Sequence, residues 1–433
     1  MYLGAQLPVV GLMTKLVKIF FIFLFSATGF LYAQSKILIP MDANQTDHLK
    51  AYGITFNALG DGLKADWLLN YNGGSFLLDY DNKIATECRI EGVFFEQLSL
   101  SQITEIYAFV QSEENNMDVI RLEKAPRIAV YVPPGFQPWD DAVTLVLEYA
   151  KIKYDKIWND EILKGDLENY DWLHLHHEDF TGQYGKFYAS FSNAQWYIDQ
   201  QLQYEQNAKQ NGFKKVSEML KTVSLSIKSF VGKGGFLFAM CSATDSYDIS
   251  LAALDVDIVE QMFDGDAADT DAQEMLSFNN TMAFTDFDLE MNPYLYEYSN
   301  IDIQPIEIGN FKNDYFTLFE FSAKYDPVPT MLTQCHINVL RGFMGQTTMF
   351  RRSTIKNSAI ILAEREGTDQ VKYIHGNFGR GTFTFYGGHD PEDYQHAVGD
   401  PPTDLNLYKN SPGYRLILNN ILFPAATKKK QKT

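Results

Sequence analysis

GGFLFAMCSATDS (234–246) decides how this chain is read. Phe236 to Met240 is a continuous apolar run of strand length, as expected for a strand buried on both faces. It passes without a spacer into Cys241 and then into small residues. A chain that turns sharply from strand to helix lifts the turning residue above the sheet edge, and needs small side chains two positions before and after it. Ala239 and Ala243 hold those positions. The stretch predicts a nucleophile elbow, with Cys241 at the end of a buried strand. The N–H groups of the next segment would favour a thiolate there. A small core cysteine at a strand end is the structural alternative.

Outward from this stretch, strand and helix alternate. From Pro126, RIAVYVPP (127–134) reads as a strand, Pro138 to Tyr154 as a helix and Lys156 to Asn159 as a short strand. DWLHLHH (171–177) is another strand, and 211–231 a long helix closed by Gly232-Lys233-Gly234-Gly235. SAIILAER (358–365) and VKYIHGNFGRGTFTFYGG (371–388) are late strands, the second stretch a hairpin turning at Gly379-Arg380-Gly381. GNFGRG (376–381) sits between two strands, not ahead of a helix, so it reads as a turn and not a phosphate loop. Before Pro126, strands at KILIPM (36–41), ADWLLNY (65–71) and SFLL (75–78), with helices over 46–59 and within 81–113, describe an N-terminal α/β lobe over 34–125. The expectation is an α/β protein: a flavodoxin-like, mostly parallel sheet with helices on both faces over 126–424, plus that lobe. Residues 246–345 read as an insertion that covers the site, and the basic end 425–433 as a disordered tail.

The N-terminus supplies an address. In MTKLVKIFFIFLFSATGFLYA (13–33), Lys15 and Lys18 precede an apolar run short for a spanning helix of ~20 residues. Ala33 is a small residue at the expected cut. Residues 1–33 therefore read as a secretory signal peptide with its working start at Met13. The mature protein is expected in the periplasm or outside the cell, without a stable membrane span. The chain carries 36 Lys plus Arg against 55 Asp plus Glu, a net charge of −19. A duplex nucleic-acid partner needs a basic footprint and is excluded. A small molecule or a glycan is the expected ligand. Cys88, Cys241 and Cys335 are an odd set, so an oxidising compartment leaves at least one thiol free.

A thiol nucleophile needs a base. TFTFYGG ends in His389-Asp390-Pro391-Glu392. His389 would take the thiol proton and Glu392 would hold the imidazole in the right tautomer. His174-Leu175-His176-His177-Glu178-Asp179 lies at a strand end, where open α/β sheets place their sites. His176, His177, Glu178, Asp179 and Asp390 are expected to contact substrate. His174, His176 and Glu178 are weak metal candidates, their spacing matching no zinc signature. No cofactor is expected. Asp264, Asp266, Asp269 and Asp271 lack the EF-hand pattern, because Met275 stands where the bidentate Glu belongs. Cys335-His336 is only a sequence adjacency.

The order strand, elbow Cys, later strand, His then acid resembles class I glutamine amidotransferase-like domains. GRGTFTFYGGHDPE (379–392) resembles their ThuA-like branch, in which a closing strand ends in Gly-His-Asp. The resemblance covers roughly 126–424. The family's Gly-x-Cys-x-Gly is Ala239-Met240-Cys241-Ser242-Ala243 here, and two residues separate His389 from Glu392 where the family has one. The resemblance implies a Cys-dependent amidase or hydrolase acting on an amide or ester, with Cys241, His389 and Glu392 as its catalytic residues. Its alternative is a non-catalytic ThuA-like protein that binds a carbohydrate or envelope ligand. The chain from KILIPMDANQTDHLKAYG (36–53) onward also resembles exported bacterial proteins called asparagine synthetase B. An ATP-dependent synthetase of that kind needs an N-terminal Cys and a Ser-Gly-Gly pyrophosphate loop. Gln34 heads the expected mature chain and no such loop is present, so that activity is excluded.

Overall fold

The computed structural model describes Met1 and residues 35–135, 141–303, 305–309, 314–395 and 397–427. Apart from Met1, the signal peptide read over 1–33 lies outside these residues, as do Pro138 and residues 428–433 of the tail read over 425–433. The first part of that tail is ordered instead, the Glu123 N–H donating to the Ala425 carbonyl and the Thr427 N–H to the Arg121 carbonyl, each at 2.9 Å. Among the described residues no helix is long and apolar enough to cross a membrane.

The first lobe is an antiparallel sheet of β1 (Lys36–Ile39), β2 (Ala65–Leu69), β3 (Ser75–Asp79), β4 (Glu96–Leu98) and β5 (Asp118–Leu122), in the order β4-β1-β3-β2-β5. Asn72-Gly73-Gly74 makes the β2–β3 turn. Gly73 has φ +73°, and a Cβ there would lie 2.3 Å from the Met41 carbonyl oxygen, so no larger residue fits.

The second sheet contains β6 (Ile128–Tyr131), β7 (Asp155–Ile157), β8 (Trp172–Leu175), β9 (Phe236–Met240), β10 (Tyr315–Leu318), β11 (Val339–Arg341), β12 (Phe350–Arg351), β13 (Ala359–Glu364), β14 (Gln370–Phe378) and β15 (Gly381–Tyr386). Its order is β11-β10-β13-β14-β15-β9-β8-β6-β7, with β12 also paired to β14. From β7 through β6, β8 and β9 to β15 the pairs are parallel. Beyond β15 they are antiparallel. The sheet is therefore mixed, not mostly parallel. The reason is local: β14 and β15 form the expected tight hairpin, with Gly379 at φ +60°, and a hairpin reverses the chain.

The parallel strands are covered on both faces. Ile128 and Val130 of β6 enter one core while Ala129 and Tyr131 enter the other, and β9 divides in the same way. Helices Ala142–Tyr149 and Pro412–Leu422 pack on the first face, and helices Val216–Gly232 and Ala243–Ala252 on the second. The first core also holds the N-terminal lobe. Arg415, fully buried on helix Pro412–Leu422, donates to the Met41 carbonyl at 2.6 Å, the Gly73 carbonyl and the Tyr52 hydroxyl at 3.2 Å.

Two sequence expectations change. The helix read over 211–231 is preceded by a separate one, Gln195–Gln210, closed by Gly212 at φ +83°. Strand β8 ends at Leu175, because the His176 amide leaves the ladder and donates to Glu178 Oε2 at 3.1 Å.

Candidate active site

Cys241 follows β9 with φ +48°, and the next helix opens at Ala243. A β-carbon makes this left-handed conformation costly, so the surroundings must hold it. They do so through backbone bonds. The Cys241 N–H donates to the Gly388 carbonyl at 3.1 Å, and the Ala243 N–H to the His176 carbonyl at 2.9 Å. Gly388 in turn donates to Thr347 at 2.7 Å, and His389 to Met344 at 2.8 Å. The elbow, the end of β15 and the loop 344–348 are thus tied into one unit. The Gln346 N–H points at the Cys241 sulfur, 3.3 Å away. Burial pushes the thiol up to about 11, against the opposing pull of the Gln346, Thr347 and Ser242 amides. At neutral pH the resting group is the thiol.

His389 lies beside a second imidazole. Its Nδ1 is 3.1 Å from His176 Nε2. The other ring nitrogen of His176 stands 3.4 Å from Asp141 Oδ1, and Asp141 Oδ2 is 3.3 Å from His174 Nε2. Asp141 caps helix Ala142–Tyr149, accepting the Val143 and Thr144 amides at 2.7 and 3.0 Å. Burial opposes its ionisation, yet the His174 and His176 imidazoles overcome this and hold the carboxyl well below its usual range. The helix N-terminus favours the same charge. Burial holds His174 below the ordinary imidazole value, against Asp141. An ionised Asp141 orients the His176 Nδ1–H toward itself. His176 Nε2 then accepts from His389 Nδ1–H, which leaves a lone pair on His389 Nε2.

Cys241 and His389 line one cavity of about 180 Å³, walled also by His177, Phe187, Tyr296 and Glu297. Burial raises Glu297 to about 7. Tyr296, Glu297 and Met344–Gln346 come from the segment after the elbow helix. A larger hollow of about 750 Å³ lies away from these groups, near Arg127, Asp171 and Phe236 at the N-terminal ends of β6, β8 and β9.

The other expected residues scatter. Glu178 is buried beside the cluster: burial raises its carboxyl to about 8, and Oε1 is 3.9 Å from His177 Nε2. Asp179 faces its own loop, accepting amides of Thr181, Gln183 and Gly185 at 2.6, 2.8 and 3.0 Å, so it shapes the loop after β8. Asp390 accepts the Glu392 amide at 2.9 Å and the Thr403 hydroxyl at 2.7 Å. That Asx-type turn aims Glu392 toward Ser411 and a surface hollow beside Thr46, instead of at His389. His176, backed by Asp141, stands where Glu392 was expected, against His389 Nδ1. The sequence signal of Asp141 was an acidic N-cap after the first parallel strand.

Ring nitrogens of His176, His177 and His389 lie within 4.8 Å of one another, as do ligand atoms of Asp141, His174 and His176, whereas Glu178 belongs to neither set. Asp264 and Asp266 of the acidic loop join Asp257 around Lys215 Nζ, at 3.1, 2.5 and 2.6 Å. Their charge is met by an ammonium. The three cysteines are free. Cys335 Sγ is 3.8 Å from His336 Nδ1, beside the buried Arg415.

No family model and no curated protein matches the chain. Among solved structures it is similar to two Salmonella typhimurium proteins titled cytoplasmic, STM1381 and STM3548. Each shares 11% identity, with 70% of this chain and all of that one covered, at TM-scores of 0.35 and 0.34. Scores this low carry no argument about fold or function.

Proposed function

We propose that the protein is an exported, amidotransferase-like hydrolase in which Cys241 attacks an amide or ester carbonyl. One observation carries this: a non-glycine residue with a nucleophilic side chain holds φ +48° at a strand–helix turn, in a cavity that it shares with His389. Strained backbone at a cavity wall is a mark of functional sites. The parallel strands run β7-β6-β8-β9-β15, which in chain order is 2-1-3-4-5, and this supports a flavodoxin-like core. Cys241 and His389 sit at the C-terminal ends of β9 and β15, where such cores bind ligands. Export and a periplasmic or secreted location rest on the signal-peptide reading of 1–33.

The resting thiol is protonated, so the couple works by general base catalysis. His389 Nε2 takes the Cys241 proton as sulfur bonds to the carbonyl carbon. His176 and ionised Asp141 stabilise the imidazolium that forms. The Gln346 amide, already aimed at the sulfur, is the donor for the developing oxyanion. His389 then gives its proton to the leaving amine or alcohol. It next takes one from water, which attacks the thioester, frees the acid and restores the thiol.

Tight enclosure favours the second reading, non-catalytic binding of a carbohydrate or envelope ligand, since Cys241 is only 3% exposed. Alkylation of Cys241 separates the two. With Cys88→Ser and Cys335→Ser in place, iodoacetamide should modify Cys241 in the folded protein, and His389→Ala should slow it at least tenfold. A thiol inert until unfolding would sink the enzyme reading.

A further inference from the structure

From the same cluster we infer a second capacity: His176, His177 and His389 together bind one zinc-class divalent ion. A ring nitrogen of each lies within 4.8 Å of the other two. The His176 Nε2–His389 Nδ1 separation is 3.1 Å. Two imidazole nitrogens held at ~2.0–2.1 Å by a tetrahedral zinc stand about 3.3–3.4 Å apart, so this pair already has nearly the spacing of two ligands. The ion would take the place of the proton shared between them.

The surroundings fit such a site. The other nitrogen of His176 faces Asp141 at 3.4 Å, and His177 Nε2 faces Glu178 at 3.9 Å. A carboxylate behind a ligating imidazole, as Asp141 stands behind His176, fixes its ring and raises its basicity. The ionised Asp141 also offsets part of the charge of a divalent ion. The three ligands are nitrogens, which suit zinc and its neighbours and not calcium or magnesium, which require oxygen. His177 and His389 line the 180 Å³ cavity, so a fourth coordination position faces space that water or a small ligand can enter.

One consequence rests on the thiol reading of the preceding subsection. A ring bound to metal through Nδ1 carries its proton on Nε2, so His389 then has no lone pair for the Cys241 proton. Metal and thiol chemistry exclude one another at this site, and zinc switches the nucleophile off.

The test titrates zinc chloride, and cobalt(II) chloride in parallel, into the whole purified chain with Cys88→Ser and Cys335→Ser. One ion per chain and a cobalt spectrum of tetrahedral intensity are expected. Asp141→Asn should weaken zinc binding 10- to 100-fold. His177→Ala should abolish the tetrahedral spectrum at unchanged far-UV circular dichroism. No binding at micromolar zinc, a weak octahedral cobalt spectrum in the unaltered chain, or full affinity in His177→Ala would overturn the site. The unaltered-chain spectrum decides even if the variant misfolds. Zinc should also slow Cys241 alkylation at least tenfold, and chelation should restore it. Stoichiometric zinc with a thiol that stays unreactive after chelation removes the hydrolase reading and leaves the metal site. A His389-dependent thiol with no zinc bound does the reverse.

Discussion

Asp141→Asn tests the relay most directly. Asparagine caps a helix about as well as aspartate, so the Val143 and Thr144 bonds have a replacement acceptor and the fold is kept. What disappears is a buried negative charge. The path from Asp141 Oδ1 to His389 runs 3.4 Å to His176, across one imidazole ring, and 3.1 Å onward, about 9 Å in all. Two unit charges at that distance interact by about 1.8 kcal/mol at an effective dielectric of ~20. Asp141 therefore favours the imidazolium by about twentyfold, at 1.36 kcal/mol per tenfold, and its weaker repulsion of the more distant thiolate makes this the upper limit for the ion pair. Alkylation follows the thiolate population, so the iodoacetamide rate at pH 7.5 should fall by more than twofold and up to about twentyfold in the variant. The control is His389→Ala alone and combined with Asp141→Asn, because the effect must vanish once the base is gone. A rate within twofold of the parent, or an equal loss in the His389→Ala background, would refute the relay.

Three further outcomes follow from the packing. Gly345→Ala puts a Cβ 2.7 Å from the His389 amide nitrogen and 2.9 Å from the Gly388 carbonyl carbon, so stability should fall by about 1–3 kcal/mol and Cys241 alkylation should slow; an unchanged denaturation midpoint would count against the packing of this loop. The Asp248 carboxylate accepts the Met282, Ala283 and Phe284 amides at 2.8, 2.7 and 2.8 Å, so Asp248→Ala strands three buried donors. It should cost roughly 3–5 kcal/mol in urea unfolding, and a loss under 1 kcal/mol would contradict the anchoring role. Burial raises Asp245 from 3.8 to about 8, so between these values the folded chain keeps a proton that the unfolded chain has released. Stability contributed by this group therefore falls as pH rises through that interval and is flat above it. The stability of the parent relative to Asp245→Asn should decline from pH 5 to 8, and a difference that is flat or rises would refute the assignment.

Much of the architecture is written locally. The apolar run of β9 and the small residues around Cys241 encode an elbow within about ten residues, and the structure turns there. The same holds for the β14–β15 hairpin, whose glycines supply the turn. Short-range patterns succeed because strand burial, turn geometry and helix capping act over a few residues. Even so, the sheet differs from the expectation: the hairpin is legible, but its consequence, an antiparallel half added beside the parallel strands, depends on where β14 goes next.

The site is where the tertiary structure decided. His389, His176 and Asp141 are separated by 213 and 35 positions, and meet only because β15, β9, β8 and β6 lie side by side with their C-terminal ends together. Sequence proximity favoured Glu392 as the partner of His389, yet Asp390 captures the Glu392 amide and turns that segment away. Residue types alone pointed to a thiol at a sharp turn and to imidazoles at strand ends; the strain at Cys241 came from the structure. Which acid stands behind which imidazole followed from strand order, because local free energy specifies elements and only their packing specifies neighbours.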